Sequence, residues 1–180
     1  MRGMGAPTVG KENPSPCPLP RGEGKASERF LSHRWRSLSL ILAVLAIDQT
    51  SKVAVEKWMP LGQTIPILPF FSLTHVQNTG AAFGMFADSN GAFIVLTLVI
   101  LALLAKMHRD LAGQGKWASV GVLLVWGGAV GNLVDRIRVG AVTDFLDFYW
   151  RGWHWPAFNV ADSAITVGVT LLFVQNLFKK

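Results

Sequence analysis

Four long apolar segments, separated by polar connections, dominate the chain after residue 34. They cover about residues 38–58, 91–107, 117–134 and 160–178. Each is close to the roughly 20 residues with which an α-helix crosses a hydrocarbon core of about 30 Å. One such segment could be a buried helix of a soluble protein, but four in one short chain favour a membrane protein. The pattern therefore predicts a membrane all-α fold with four transmembrane helices.

The connection from Met59 to Asn90 has a different pattern. Prolines at positions 60, 66 and 69 exclude a continuous helix there. Residues 70–76 are rich in β-forming side chains, which predicts a strand or a hairpin on the membrane surface. We therefore expect a small β part, a short platform in the outer loops, beside the four helices.

Residues 1–34 are dominated by proline, glycine, serine and charged side chains and show no periodicity. Such a segment has too little apolar surface to fold by itself, so we predict a disordered cytoplasmic extension. The single cysteine, Cys17, lies within it and is interpreted as an incidental thiol. The membrane domain is expected to span residues 35–180.

Composition and charge support this assignment. The chain is 51% hydrophobic and 16% charged, which is too apolar for a typical soluble domain. Its basic residues cluster near the N-terminus, around residues 106–116 and at the C-terminus. This distribution fits the positive-inside rule and contact with membrane lipids better than nucleic-acid binding, which we exclude. It predicts that both termini are cytoplasmic and that the first and third connections lie outside.

Several polar residues interrupt the apolar segments. Asp48 and Lys52 are four residues apart and project from one helix face, either as a mutually neutralising pair or as the polar floor of a site. Gly127 and Gly131 have the spacing at which a neighbouring helix can pack closely. Asn132 lies just beyond them, near the outer end of the third segment.

The fourth segment opens with Asn159, a candidate N-cap, and Asp162 three residues later. A carboxylate in the first turn is favoured by the helix dipole, so a plain capping role is one interpretation of Asp162. The other interpretation is that Asp162 takes part in a reaction. Asp144 comes from the outer connection, and if that connection folds back it can meet Asp162 at the outer boundary of the membrane.

Two carboxyl groups that share one site hold one proton between them. The charged group can take a proton from water while the protonated group polarises a carbonyl, which is peptide hydrolysis. The chain contains no HExxH motif and no Cys–His cluster, so we expect no metal and no cofactor. Paired aspartates also carry protons in transporters, so a proton-coupled small transporter is the alternative. A noncatalytic membrane scaffold is a third hypothesis.

Five short motifs, in order, closely resemble those of the lipoprotein signal peptidases, the type II signal peptidases of bacteria. The resemblance covers the chain from about residue 35 to its end. The motifs are DQTSK (48–52), NTGAAFG (78–84), GGAVGNLVDR (127–136), VTDF (142–145) and FNVADSAI (158–165).

The resemblance implies an aspartic endopeptidase, a hydrolase of the bacterial inner membrane with its active site at the outer face. It would remove the signal peptide from diacylglyceryl-modified prolipoproteins by cutting before the lipidated cysteine. The catalytic dyad of the family falls on Asp144 and Asp162. Its supporting polar residues fall on Asp48, Lys52, Asn78, Asn132, Arg136 and Asn159. Inhibition by the cyclic peptide globomycin is expected, and so is a monomer.

Three further expectations concern individual side chains. The guanidinium fork of Arg136 suits donation to a substrate main-chain carbonyl. Asp135, adjacent to it, is predicted to orient its neighbours, whereas Asp147 is predicted to be a solvated loop charge. Aromatic residues of the third connection are expected to anchor it at the membrane interface. These are Phe145, Phe148, Trp150, Trp153 and Trp155.

Overall fold

The computed structural model describes residues 23–80 and 89–178 and divides the chain into two units, residues 1–34 and 35–180. Its helices are α1 (Glu23–Trp58), α2 (Asn90–Ala112), α3 (Lys116–Arg138) and α4 (Val160–Leu177). Its strands are β1 (Thr64–Leu68), β2 (Phe71–Asn78), β3 (Val142–Trp150) and β4 (Trp153–His154).

Among the described residues, four helical stretches are long and apolar enough to cross a membrane. They are Ser37–Trp58, Asn90–Leu111, Lys116–Arg138 and Val160–Leu177. The predicted four-helix architecture with a small sheet is therefore confirmed. Three helix ends differ by several residues from their predicted positions: α1 begins before residue 38, α2 continues past residue 107 to Ala112, and α3 continues past residue 134 to Arg138.

Helix α1 begins at Glu23 rather than near residue 38. Residues 23–36 contain no proline and many strong helix formers, which explains why the helix starts before the apolar segment. The helix therefore includes residues 23–34, which belong to the segment predicted to be a disordered extension. Residues 1–22, with Cys17, lie outside the described residues.

Helix α3 packs closely against α1 on one side and α4 on the other, because its glycines have no side chain at these contacts. A Cβ added at Gly127 would lie 2.9 Å from Val44 of α1, and one at Gly131 would lie 2.6 Å from the Asp48 Oδ2 atom. On its other side, Gly121 faces Gly168 of α4 at a corresponding distance of 2.6 Å. The packing role predicted for Gly127 and Gly131 is confirmed.

Replacing Gly128 by alanine should destabilise the protein by about 1–3 kcal/mol, because the new Cβ would clash with the main-chain oxygen of Ala161. Gly91→Ala is the matched control, since a Cβ there meets nothing within 4 Å. Thermal unfolding in detergent measures both variants. Equal melting temperatures for the two would contradict this account of the α3–α4 contact.

The sheet has the strand order β1-β2-β3-β4, and all pairs are antiparallel. The predicted strand at residues 70–76 corresponds to β2, while β3 was not identified as a strand. Asp144 pairs with Val76 of β2, next to an irregularity between Leu73 and Val76 that shifts the register. The sheet therefore fixes the main chain that carries Asp144.

Two expectations for β3 are wrong. Phe145 is only 5% exposed and packs against Val55 and Met59 at the end of α1, so it does not anchor the sheet in lipid. Asp147 is buried, not solvated, and its Oδ1 lies 2.9 Å from His154 Nδ1. Both residues lie in a strand whose inner side chains are covered by other elements. By contrast, large fractions of the other predicted anchors, Phe148, Trp150, Trp153 and Trp155, are exposed.

Candidate active site

A cavity of about 570 Å³ opens where the sheet meets the ends of α3 and α4. Asp144 and Asp162 both line it, together with Asn78 and Arg136. Its remaining walls are mostly apolar and include Phe93, Trp155, Pro156, Phe158 and Val167. The cavity thus combines two carboxyl groups and one cation with an apolar surface.

Asp162 is held by the first turn of α4. Asn159 is the N-cap, as predicted: its Oδ1 accepts from the Asp162 main-chain N–H at 3.0 Å. In return, Asp162 Oδ2 accepts from the Asn159 main-chain N–H at 3.2 Å, which completes a capping box. Asp162 Oδ1 accepts from Asn132 Nδ2 at 2.7 Å. The Asp162 carboxylate therefore caps α4 and also faces the cavity.

Asp144 is held by two amide side chains. Its Oδ1 accepts from Asn159 Nδ2 at 2.7 Å, and its Oδ2 accepts from Asn78 Nδ2 at 3.0 Å. The amide of Asn78 is oriented because its Oδ1 accepts from the Gly80 main-chain N–H at 3.0 Å. Asn159 therefore contacts both carboxyl groups and ties β3 to the start of α4.

The pKa of Asp144 is raised from 3.8 to about 7. Burial is the largest cause and the charge of Asp162 is the second; hydrogen bonds from Asn78 and Asn159 and the positive charge of Lys52 act in the opposite direction. At neutral pH this carboxyl group therefore holds a proton for much of the time.

Lys52 is fully buried behind the carboxyl pair and has three acceptors. Its Nζ lies 2.8 Å from Asp48 Oδ2, 2.8 Å from Asp135 Oδ2 and 3.0 Å from Asn132 Oδ1. These three contacts satisfy the three N–H donors of an ammonium group. Since Asn132 Oδ1 faces Lys52, Asn132 Nδ2 faces Asp162, so the ion cluster orients a direct partner of the carboxyl pair.

The ion cluster also fixes α4. Asp48 Oδ1 accepts from the main-chain N–H of Ala161 at 2.8 Å, which satisfies a donor that the helix itself leaves unpaired. Gln49, which was not predicted as a site residue, donates to Asp48 Oδ2 at 3.1 Å and to Asp135 Oδ1 at 2.9 Å. Its polar side chain within an apolar segment, next to Asp48, was the signal available in the sequence.

Arg136 lies in the last turns of α3, not in the connection that follows the predicted helix. Its Nη2 donates to the Gly80 main-chain oxygen at 3.0 Å, and its Cζ lies 4.6 Å from the centre of the Phe93 ring. Its Nη1 is buried and has no hydrogen-bond partner among the described residues. Arg136 lines the cavity, and within the described part of the chain its guanidinium has one donor without a partner. Nothing in the sequence pattern marks Phe93 as its neighbour.

The predicted site residues thus come together from distant parts of the chain. Asp135 contacts Lys52 and Gln49, and it does not line the cavity. Within the described residues, no group of three or more His, Cys, Asp or Glu side chains is placed to hold a metal ion.

The chain is similar to known bacterial membrane proteins. The chain is 48% identical over 143 residues to a lipoprotein signal peptidase of Geobacter metallireducens, covering 77% of this chain and 88% of that protein. A lipoprotein signal peptidase of Aeromonas hydrophila is 45% identical, with coverage of 79% and 87%.

A solved bacterial membrane enzyme, determined by the in meso method at 2.3 Å resolution, superposes with a TM-score of 0.73 at 32% identity. The match covers 79% of this chain and 87% of that enzyme. The family model described as "Signal peptidase (SPase) II" matches residues 40–178, which include all of the predicted site residues. The chain therefore belongs to the signal peptidase II family of aspartic peptidases.

Proposed function

We propose that this protein removes the signal peptide from diacylglyceryl-modified prolipoproteins and cuts just before the lipidated cysteine. Membership of the signal peptidase II family and the names of its relatives support this function over the proton-coupled transporter and the scaffold. One structural observation carries the mechanism. Asn159 bonds Asp144 through its side chain and Asp162 through a capping box, so two carboxyl groups face one cavity.

In the proposed reaction, Asp144 is the protonated group, because its pKa lies near 7. Asp162 is the charged group; its oxygens accept from Asn132 and from the Asn159 main chain. Asp162 takes a proton from water as the water oxygen attacks the scissile carbonyl carbon, while Asp144 donates to the carbonyl oxygen. The C–N bond then breaks as the leaving nitrogen takes a proton from Asp162, and one hydroxyl of the tetrahedral intermediate returns a proton to Asp144.

The guanidinium of Arg136 lines the cavity and suits donation to a substrate main-chain carbonyl. Its Nη1 is buried and has no partner within residues 23–80 and 89–178, so an incoming carbonyl would satisfy this donor. In this role Arg136 positions the substrate backbone and takes no part in proton transfer. Asp48, Lys52, Asn78, Asn132 and Asn159 hold the two carboxyl groups in place.

We place the enzyme in the bacterial inner membrane with both termini in the cytoplasm and the carboxyl pair at the outer face. The concentration of basic residues in the connection between α2 and α3 supports this orientation. The exposed tryptophans at positions 150, 153 and 155 suit the boundary between lipid and water. The scissile bond would lie at that boundary, with the acyl chains of the substrate in lipid. A monomer and inhibition by globomycin are expected.

Cleavage should decline as the pH rises above about 7, because Asp144 then loses the proton that it donates.

The raised pKa of Asp144 also affects the stability of the protein. Folding raises the pKa of Asp144 above 3.8, so its contribution is complete below pH 3.8 and is lost as the pH rises through about 7.

Thermal unfolding of the wild type and of Asp144→Asn, measured from pH 5 to pH 8, checks the stability prediction. The wild type should lose stability relative to the variant over this range, because asparagine does not titrate. A constant difference between the two melting temperatures would contradict the raised pKa.

The proposed function is tested with purified protein and a diacylglyceryl-modified precursor. Mass spectrometry should detect one cut, with the lipidated cysteine as the new N-terminus, both with and without a chelator. The matched substrate, whose acceptor cysteine is replaced by serine and which therefore carries no lipid, should be cut far more slowly. Absence of cleavage of the lipidated precursor would overturn the proposal.

A further inference from the structure

The last turn of α1 contacts β3 beside Asp144 through a residue that the mechanism does not use. The Thr143 hydroxyl donates to Glu56 Oε1 at 2.7 Å. Arg138, at the end of α3, donates through Nη2 to the same carboxylate at 2.8 Å and 3.0 Å. Glu56 therefore joins α1, α3 and β3 at the position immediately before Asp144.

Strand geometry connects this contact to the cavity. Successive side chains of a strand point to opposite faces, so Thr143 and Phe145 share one face and Asp144 occupies the other. Thr143 bonds Glu56, and Phe145 packs against Val55 and Met59 of the same helix end. The end of α1 thus contacts Thr143 and Phe145, the residues on either side of Asp144. The Asp144 carboxyl group therefore points away from α1.

The main chain at Thr143 is also fixed. Its N–H donates to Asp135 Oδ2 at 3.5 Å, and its carbonyl oxygen accepts from Asn159 Nδ2 at 3.4 Å. Thr143 is 1% exposed, so loss of its acceptor would leave a buried hydroxyl unpaired. A rotation of β3 that brought this hydroxyl to a new partner would also move Asp144.

We propose that Glu56 is a positioning residue for the peptidase reaction: its carboxylate holds the Thr143 hydroxyl and thereby fixes the direction in which Asp144 enters the cavity. The proposal rests on the proposed function, since it assigns Glu56 a role in that reaction. Glu56 acts through Thr143 and does not touch the cavity.

The acceptor oxygen of Glu56, and not its charge, carries this role. The Arg138 side chain is 41% exposed, and an ion pair in that environment contributes little. Glutamine keeps one oxygen that can accept from Thr143, whereas alanine keeps none. The two substitutions therefore separate the hydrogen bond from the ion pair.

The experiment measures kcat and KM for cleavage of a lipidated precursor by full-length variants in lipid. Glu56→Ala and Thr143→Val should each lower kcat roughly tenfold and leave KM within about twofold, because the substrate contacts are unchanged. Glu56→Gln and Thr143→Ser, which keep the acceptor and the hydroxyl, should stay within about threefold of the wild type. Arg138→Gln, which removes only the ion pair, is the matched control and should also remain active.

The double variant Glu56→Ala with Thr143→Val should be no slower than either single variant, because both remove the same hydrogen bond. Multiplied losses in the double variant would overturn the proposal, and so would a loss in Glu56→Gln as large as that in Glu56→Ala. Wild-type kcat in Glu56→Ala would overturn it as well. Should Glu56→Ala fail to fold, the comparison of Thr143→Val with Thr143→Ser decides the question alone.

Asp144→Asn is assayed in parallel so that the two ideas can be told apart. Loss of cleavage in Asp144→Asn with full activity in Glu56→Ala would remove only the positioning role. Retained cleavage in Asp144→Asn would remove the proposed dyad, whatever the Glu56 variants do.

Discussion

Asp144→Asn and Asp162→Asn should each lower the rate of prolipoprotein cleavage by about 10³-fold, while the protein still folds and inserts into the membrane. Asparagine has nearly the shape of aspartate, but it can neither take a proton from water nor donate a carboxylic proton. For Asp144, asparagine also keeps an oxygen that can accept from Asn78 or Asn159. The loss should therefore appear in kcat and not in expression.

Asp147→Asn is the matched control. Asp147 lies in the same strand and is also buried, but its partner is His154 and it does not line the cavity. We expect its cleavage rate to stay within about threefold of the wild type, since it contacts no reacting group. Equal losses at positions 144 and 147 would show that damage to β3, and not loss of a reacting group, stops cleavage.

Lys52→Met should have the largest effect on stability. Methionine is similar in length, but it leaves the buried carboxylates of Asp48 and Asp135 without their shared cation. Breaking a buried ion pair by removing one partner costs about 3–5 kcal/mol in the free energy of unfolding. Because Asn132 would also lose the contact that orients it towards Asp162, kcat should fall as well.

The control for Lys52→Met is Arg138→Gln, which breaks the partly exposed pair with Glu56 and should cost no more than about 1 kcal/mol. Adding Asp135→Asn to Lys52→Met should restore part of the stability, because one unpaired carboxylate is then removed. Thermal unfolding in detergent measures all of these variants. A Lys52→Met protein as stable as the wild type would contradict the role assigned to the ion cluster.

Local patterns were enough to predict the helices and one strand. A transmembrane helix must be continuously apolar, and an N-cap has a short signature, so the four spans and the cap at Asn159 could be read from the sequence. The residues of the carboxyl pair were also identified, because aspartate is expensive near hydrocarbon and rare there. The five motifs added the supporting residues around them.

Contacts between distant segments could not be predicted in the same way. The bond from Gln49 to Asp135 and the ion pair between Lys52 and Asp135 join helices far apart in the chain. This pairing lets α3 continue through Asp135 and Arg136, where the pattern suggested that the helix had ended. Composition alone does not show which cation a buried carboxylate pairs with.

The strand that carries Asp144 shows the same limit. Residues 142–150 contain many β-forming side chains, yet their four aromatic residues, at an expected membrane surface, also suit an anchoring loop. Burial of Phe145 against Val55 depends on the end of α1, and burial of Asp147 depends on His154. Only the folded arrangement distinguishes the inner face of the strand from the outer one.

The central claim is that Asp144 and Asp162 act as one unit. The most direct test measures single-turnover cleavage of a lipidated precursor by Asp144→Asn, Asp162→Asn and the double variant. We predict the same residual rate in all three, within about threefold, because removing either member of a catalytic unit removes its function. A double variant slower by the product of the two single losses would show that the carboxyl groups act independently, and it would contradict the account.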